Sequence, residues 1–149
     1  MNISDILDSV KNGKISVNEA KKLLSLYSIE EIENFAKIDL GRQMRKGIPE
    51  VIFAERKENS EVKKIIKKVL EKTNSIVVSR IPKKHYQDVC TFCKKNNFKI
   101  SEGQNCSTIL IYKKSVKKTA GKVGIITAGT SDIGIAEESR LMCESMNCE

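Results

Sequence analysis

Apolar positions in this chain repeat with a helical period at the start, shift to short alternating or continuous runs, and return to a helical period later. Ile3, Ile6, Leu7 and Val10 share one helical face, and Asn12-Gly13 stops that pattern. Ser16-Val17-Asn18-Glu19 has the spacing of a capping box, in which the Ser16 hydroxyl accepts from the Glu19 amide and the Glu19 carboxylate reaches back. It opens a second helix with Val17, Ala20, Leu23 and Leu24 on one side. Ser28 ahead of Glu30-Glu31 predicts a third short helix through Phe35, with acids in the first turn, where the helix dipole favours them. Residues 1–36 are therefore expected to form a small acidic bundle of three helices.

Beyond that point the pattern becomes that of strands and helices in alternation. A short strand is expected over 35–40, a basic turn over 41–47, an extended step at Ile48-Pro49 and a strand over 51–53. Val62, Ile65, Ile66, Val69 and Leu70 predict a helix over 60–72, with Lys63, Lys64, Lys67 and Lys68 on its other side. Residues 75–79 are β-branched and apolar, which predicts a buried strand. Pro82 opens a helix to about Lys95, and 98–101 and 108–112 read as two further strands. The order β-β-α-β-α-β-β over 37–112 predicts a compact α+β domain. Residues 113–122, KKSVKKTAGK, read as a linker. A strand over 123–127 and a helix from Ser131 to about Met146 then predict the first β-α unit of an α/β domain. One such unit leaves both strand edges unpaired. The chain is thus expected to be a portion of a protein of roughly 250 residues.

Charge changes the picture in the middle of the chain. Residues 1–36 carry a net −2, residues 37–122 a net +14 from 22 basic and eight acidic side chains, and residues 123–149 a net −4. The basic segment suits an anionic partner, whether nucleotide, polyphosphate or nucleic acid. Few aromatics and lysine in preference to arginine count against base stacking or base readout. The apolar runs are too short to span a bilayer, and the N-terminus lacks the basic and apolar regions of a secretory signal, so a cytoplasmic location without membrane attachment is expected. Five cysteines, Cys90, Cys93, Cys106, Cys143 and Cys148, then read as reduced thiols. Cys90, Cys93 and His85 on one helix with Cys106 nearby resemble a zinc set only weakly, since no second C-x-x-C exists, and no metal site is expected.

The strongest chemical signal is the run from Gly121 to Asp132, GKVGIITAGTSD. An apolar strand ends in a small, hydroxyl-rich turn where a helix starts, and free amides at such a start favour an anion. Gly129 allows close approach of a phosphate, Thr130 and Ser131 offer hydroxyls, and Asp132 can accept from ribose hydroxyls. Ser131 or Asp132 as a plain N-cap is the structural alternative. Neither G-x-x-x-x-G-K-[ST] nor G-x-G-x-x-G occurs here.

Val123 to Glu138, VGIITAGTSDIGIAEE, resembles the start of the catalytic domain of LarB-type enzymes, which is similar to the PurE class of aminoimidazole ribonucleotide carboxylases. Phe35 to Arg42 and Arg45 to Phe53 resemble the N-terminal domain signature of that family. The resemblance covers essentially the whole chain and implies that 123–149 begins a PurE-like, flavodoxin-like parallel sheet domain. It further implies carboxylation of the pyridinium ring of nicotinic acid adenine dinucleotide with CO2 or bicarbonate as co-substrate. Hydrolysis of the phosphoanhydride to release AMP accompanies that step, in nickel-pincer nucleotide biosynthesis. A cysteine thiolate of the family adds to the ring to make it nucleophilic. No residue here matches that cysteine, and no catalytic residue is assigned within this chain.

By the same resemblance Gly129, Thr130, Ser131 and Asp132 hold phosphate and ribose, while Asp39, Arg42, Arg45, Lys46 and Lys57 form a functional patch. Asp39 and Arg42 also stand at the spacing of a local ion pair. Glu137 and Glu138 are expected at the surface. The family pattern has glycines after the 51–53 strand where this chain has Ala54-Glu55-Arg56 ahead of Lys57. No covalently bound cofactor is expected, magnesium stays open, and the full-length protein is expected to be a homo-oligomer. A PurE-like purine enzyme and a basic nucleic-acid-binding module remain as alternatives.

Overall fold

The structure is a computed structural model, and it describes residues 3–25, 29–32, 36–39, 48–115, 118 and 121–149. It divides into two compact units, Met1–Ile48 and Pro49–Glu149.

In the first unit, helix α1 (Ile3–Lys11) ends where Gly13 takes a positive φ of 67°, with the Asn12 amide donating to the Asp8 carbonyl at 2.9 Å. That left-handed residue is one that glycine adopts without a Cβ penalty. Helix α2 (Val17–Ser25) starts at the expected capping box. The Ser16 amide donates to Glu19 Oε2 at 2.8 Å, and the Glu19 amide donates to Ser16 Oγ at 3.1 Å. The Ser16 amide, then the Ser16 hydroxyl that donates to the same Oε2 at 2.8 Å, hold the Glu19 carboxyl below its usual pKa. Ile6 and Ala20 are buried.

The third helix expected over 28–35 is instead strand β1 (Ile29–Ile32), paired antiparallel with β2 (Ala36–Asp39) from Ile29↔Asp39 to Ile32↔Ala36. A two-turn helix leaves most of its backbone groups without partners. Pairing with the neighbouring strand satisfies them, and isoleucine at both ends suits a strand. Among the described residues the first unit is therefore two helices and an antiparallel pair of strands, not the three-helix bundle expected.

The second unit is built on a four-stranded mixed sheet in the order Val51–Phe53, Ser75–Ser79, Ile109–Tyr112, Lys99–Glu102, giving the α+β class expected from the pattern. Strand β3 (Val51–Phe53) runs parallel to β4 (Ser75–Ser79) through helix α3 (Asn59–Lys72). Helix α4 (Lys83–Lys95) leads to β5 (Lys99–Glu102), which pairs antiparallel with β6 (Ile109–Tyr112), itself antiparallel to β4. Helix α4 closes with Asn97 at φ 58° and the Phe98 amide donating to the Cys93 carbonyl at 2.9 Å, a left-handed cap.

Strand alternation divides the sheet into two unlike faces. One carries Ile52, Ile76, Val78, Ile109 and Ile111, and it buries these against α3 and α4 through Ile65, Ile66, Val69, Leu70, Val89 and Cys93. The other carries Val77 and Leu110 among hydroxyls, namely Ser75, Ser79, Ser101 and Thr108. Helix α5 (Ile133–Ser145) lies on this second face, with Leu141 fully buried against Val77 and Leu110.

The strand expected over 123–127 does not form. Among the described residues this segment joins no sheet, and Ile126 is 96% exposed. Its start is tied to Glu149 by two backbone hydrogen bonds, Val123 N to Glu149 O at 2.8 Å and Glu149 N to Gly121 O at 2.9 Å. Apolar, β-branched sequence favours extension, but a strand exists only where another chain segment completes its ladder.

Candidate functional site

The turn that the sequence singles out stands at the head of α5. Gly129 has φ −114° and ψ 149°, an extended conformation open to any residue, so glycine matters here for access and not for backbone geometry. Thr130–Asp132 form one 3-10 turn, with the Asp132 amide donating to the Gly129 carbonyl at 3.1 Å. Ser131 Oγ donates to Asp132 Oδ1 at 3.2 Å, and Thr130 and Ser131 are exposed. The turn thus presents two hydroxyls and a carboxylate to solvent beside a helix start. That set can hydrogen-bond a phosphate ester and an adjacent sugar.

What holds this turn in place was not legible as chemistry in the sequence. A Cβ on Gly134 would lie 2.5 Å from the Asn105 carbonyl oxygen, so the first turn of α5 presses directly on the backbone of the β5–β6 loop. Glu137 accepts from the Gln104 amide at 3.1 Å and from Arg140 Nε at 3.1 Å. Arg140 also donates to the Glu102 carbonyl at 3.0 Å and to Glu144 at 3.0 Å, and Ser101 Oγ donates to Glu144 at 2.8 Å. The Arg140 hydrogen bond, then the Gln104 amide, hold the Glu137 carboxyl below its usual pKa.

Deeper in, Ser79 Oγ donates to Glu138 Oε1, and Thr108 Oγ1 lies 3.0 Å from the same oxygen and 3.1 Å from Ser79 Oγ. Both hydroxyl residues are 1% exposed. Glu137 and Glu138, expected at the surface, are therefore half-buried docking residues. The four groups that matter most here, Ser79, Thr108, Gly134 and Glu138, gave one faint sequence signal: a serine at each end of an otherwise apolar strand.

Of the remaining expected site residues, Asp39 and Lys57 lie among the described residues. Asp39 lies on β2 in the first unit, and Lys57 follows β3 in the second, its amide donating to the Ala54 carbonyl at 3.1 Å. Arg42, Arg45 and Lys46 fall outside the described residues. Where the family pattern has glycine, Ala54 is fully buried and its amide donates to the Ser79 carbonyl at 2.8 Å. Next to it the Arg80 guanidinium sits 5.7 Å over the Phe53 ring and 3.7 Å from Glu55, in a cation–π and ion-pair contact at the surface. Among the described residues two hollows in the second unit have linings that do not include the 129–132 turn. One of about 580 Å³ is lined by Lys83, Tyr86, Asn105 and Cys106, and one of about 190 Å³ by Ser75, Tyr112 and Ser145.

The cysteines show packing rather than reactivity. Cys90 and Cys93 are buried on α4, and burial pushes the Cys93 thiol up to about 12. Near neutral pH it is held as the thiol, the weak nucleophile of the pair thiol and thiolate. Alkylation with iodoacetamide is expected to reach the half-buried Cys143 and Cys148 first and Cys93 only on unfolding. Peptide mapping that found Cys93 labelled as fast as Cys148 would contradict this packing. Among the described residues no group of three or more His, Cys, Asp and Glu side chains is placed to hold a metal, and no helix is long and apolar enough to cross a membrane.

Comparison with known proteins places this geometry in a family. The chain is 37% identical over 150 residues to an uncharacterized protein of Methanocaldococcus jannaschii, covering 99% of this chain and 59% of that protein. It thus spans about three fifths of the length of that relative. Residues 29–113 match the model of the LarB/PurE-like N-terminal domain. That match takes in the β1–β2 pair, the whole four-stranded sheet and helices α3 and α4, and on it the chain belongs to the LarB/PurE-like N-terminal domain family.

Proposed function

We propose that this chain is the N-terminal portion of a LarB-type carboxylase/hydrolase and carries the turn that receives the phosphate and ribose of nicotinic acid adenine dinucleotide. The observation that carries the reading is the exposed Thr130–Asp132 turn at the head of a firmly seated helix, within the run that resembles the family's catalytic domain. The chemistry of the whole protein would be addition of CO2 or bicarbonate to the pyridinium ring and cleavage of the phosphoanhydride with release of AMP. A pyridinium ring is electron-poor and attacks CO2 only after a nucleophile has added to it. None of the five cysteines here matches the family's nucleophile, and Cys93 is held as a neutral thiol. The part assigned to this chain is binding: hydroxyls of Thr130 and Ser131 on phosphate oxygens and the Asp132 carboxylate on ribose hydroxyls.

Calorimetric titration of the 149-residue protein with nicotinic acid adenine dinucleotide, and separately with double-stranded DNA, each at two salt concentrations, tests this. Dinucleotide binding is expected to weaken about tenfold in Asp132→Ala, the loss of a charge-assisted hydrogen bond. Steep salt-dependent DNA binding that Asp132→Ala leaves unchanged, with no dinucleotide binding, would instead assign the basic segment to nucleic acid.

A further inference from the structure

Under α5 the sheet is unlike an ordinary apolar face. The opposite face presents isoleucine and valine at the equivalent rows, whereas this one presents Ser75, Ser79, Ser101 and Thr108. A buried hydroxyl without a partner is costly, so such a face is stable only under a cover that brings acceptors. Helix α5 brings them at two heights: Glu138 takes Ser79 and Thr108, and Glu144 takes Ser101. Gly134 against Asn105 sets the closeness of approach, and Arg140 ties Glu137 and Glu144 to the Glu102 carbonyl. Leu141 supplies the apolar contact between these polar ones. Such a seat fixes the rotation of α5 about its own axis, because hydrogen bonds are directional where apolar contact is not. A fixed rotation fixes the direction in which the turn preceding the helix points.

We infer that the hydroxyl-bearing face of the sheet is the docking surface for helix α5, and that Glu138, seated between Ser79 and Thr108, is a positioning residue that aims the Thr130–Asp132 turn at its ligand. The ligand part of this rests on the proposed dinucleotide site; the docking part does not. The β-sheet domain thereby contributes to a nucleotide site from beneath, without touching the nucleotide.

Hydrogen exchange on the whole 149-residue protein separates the two. Glu138→Leu is expected to raise exchange of amides 137–145, the hydrogen-bonded amides of α5, by about tenfold while β4 and β6 keep their protection. Glu138→Gln still offers an oxygen to both hydroxyls and is expected to stay within about threefold of the parent. Should Glu138→Leu unfold the whole unit, Glu138→Leu combined with Ser79→Ala and Thr108→Val decides, since removing every polar partner together leaves nothing unsatisfied. Recovery of protection over 137–145 in that combination supports the docking, and continued loss overturns it. Unchanged exchange in Glu138→Leu also overturns it.

Titration with nicotinic acid adenine dinucleotide then reads the positioning. Binding about tenfold weaker in Glu138→Leu and near parental in Glu138→Gln is expected. Equal binding in parent and Glu138→Leu would overturn the positioning role. If the exchange results hold and the parent protein does not bind the dinucleotide, the proposed function fails and the docking surface stands.

Discussion

Gly134→Val is expected to destabilise the second unit by about 2–3 kcal/mol, a typical cost for forcing atoms into a packed contact. The cause is local. A Cβ at this position would stand 2.5 Å from the Asn105 carbonyl oxygen, which is backbone and not the movable end of a side chain. Asn105 itself sits at φ 51°, in a tight loop whose following residue, Cys106, points its thiol at the Thr108 carbonyl. The loop has little room to retreat without disturbing Thr108 and, through it, the Glu138 seat. Gly134→Ala should cost less, because alanine recovers about 1 kcal/mol of helix propensity, of which valine recovers only part, and brings no methyls beyond Cβ. Thermal unfolding of both variants checks this. For a unit of this size each kcal/mol is worth roughly 4 °C or more. An unchanged midpoint in Gly134→Val would show that α5 does not press on the β5–β6 loop at all.

The ordering of these two substitutions also shows what a sequence can and cannot tell. Helix α3 and strand β4 were readable nearly to the residue, since five apolar side chains at helical spacing and a run of β-branched residues each carry their own signal. The 29–35 segment was not. Ile29 and Ile32 stand three apart, a spacing that fits a helix face equally well, and only the partner strand at 36–39 decides. Residues 123–127 failed for the same reason in reverse: the composition of a strand without a ladder to join. That a turn at 129–132 precedes a helix was legible because a Gly-Thr-Ser-Asp run ahead of a helical stretch is local information. Its support was not legible, because Ser79 and Glu138 are 59 positions apart and meet only through the fold. Glu137 and Glu138 look like any charged pair on a helix until the face beneath them is known to be hydroxylated. Gly134 carried no local signal at all, since its role is defined by a carbonyl 29 residues away.

Ile111→Ala is expected to give the largest loss of stability, about 2–5 kcal/mol. Ile111 lies in β6, an inner strand paired on both sides, opposite Ile76 in β4 and Ile100 in β5, and it is fully buried. At Ile111 the surroundings on this face are apolar, so deleting three carbons leaves a void that neither water nor a polar neighbour can fill usefully. A domain of this size holds only about 5–15 kcal/mol in total, so one such change removes a large share of it. Ile111→Val, which removes one methylene, should cost about 0.5–1.5 kcal/mol and serves as the graded control. Urea denaturation gives both values from the shift in midpoint at constant slope. The comparison that matters is with Leu141→Ala on the opposite face. That change should fall in the same range of about 2–5 kcal/mol, yet it should selectively expose α5 to hydrogen exchange, because the helix loses its apolar anchor while the α3 and α4 side of the sheet stays packed. Equal loss of protection on both faces in Leu141→Ala would mean that α5 is an integral part of the core, not a helix docked upon a finished sheet.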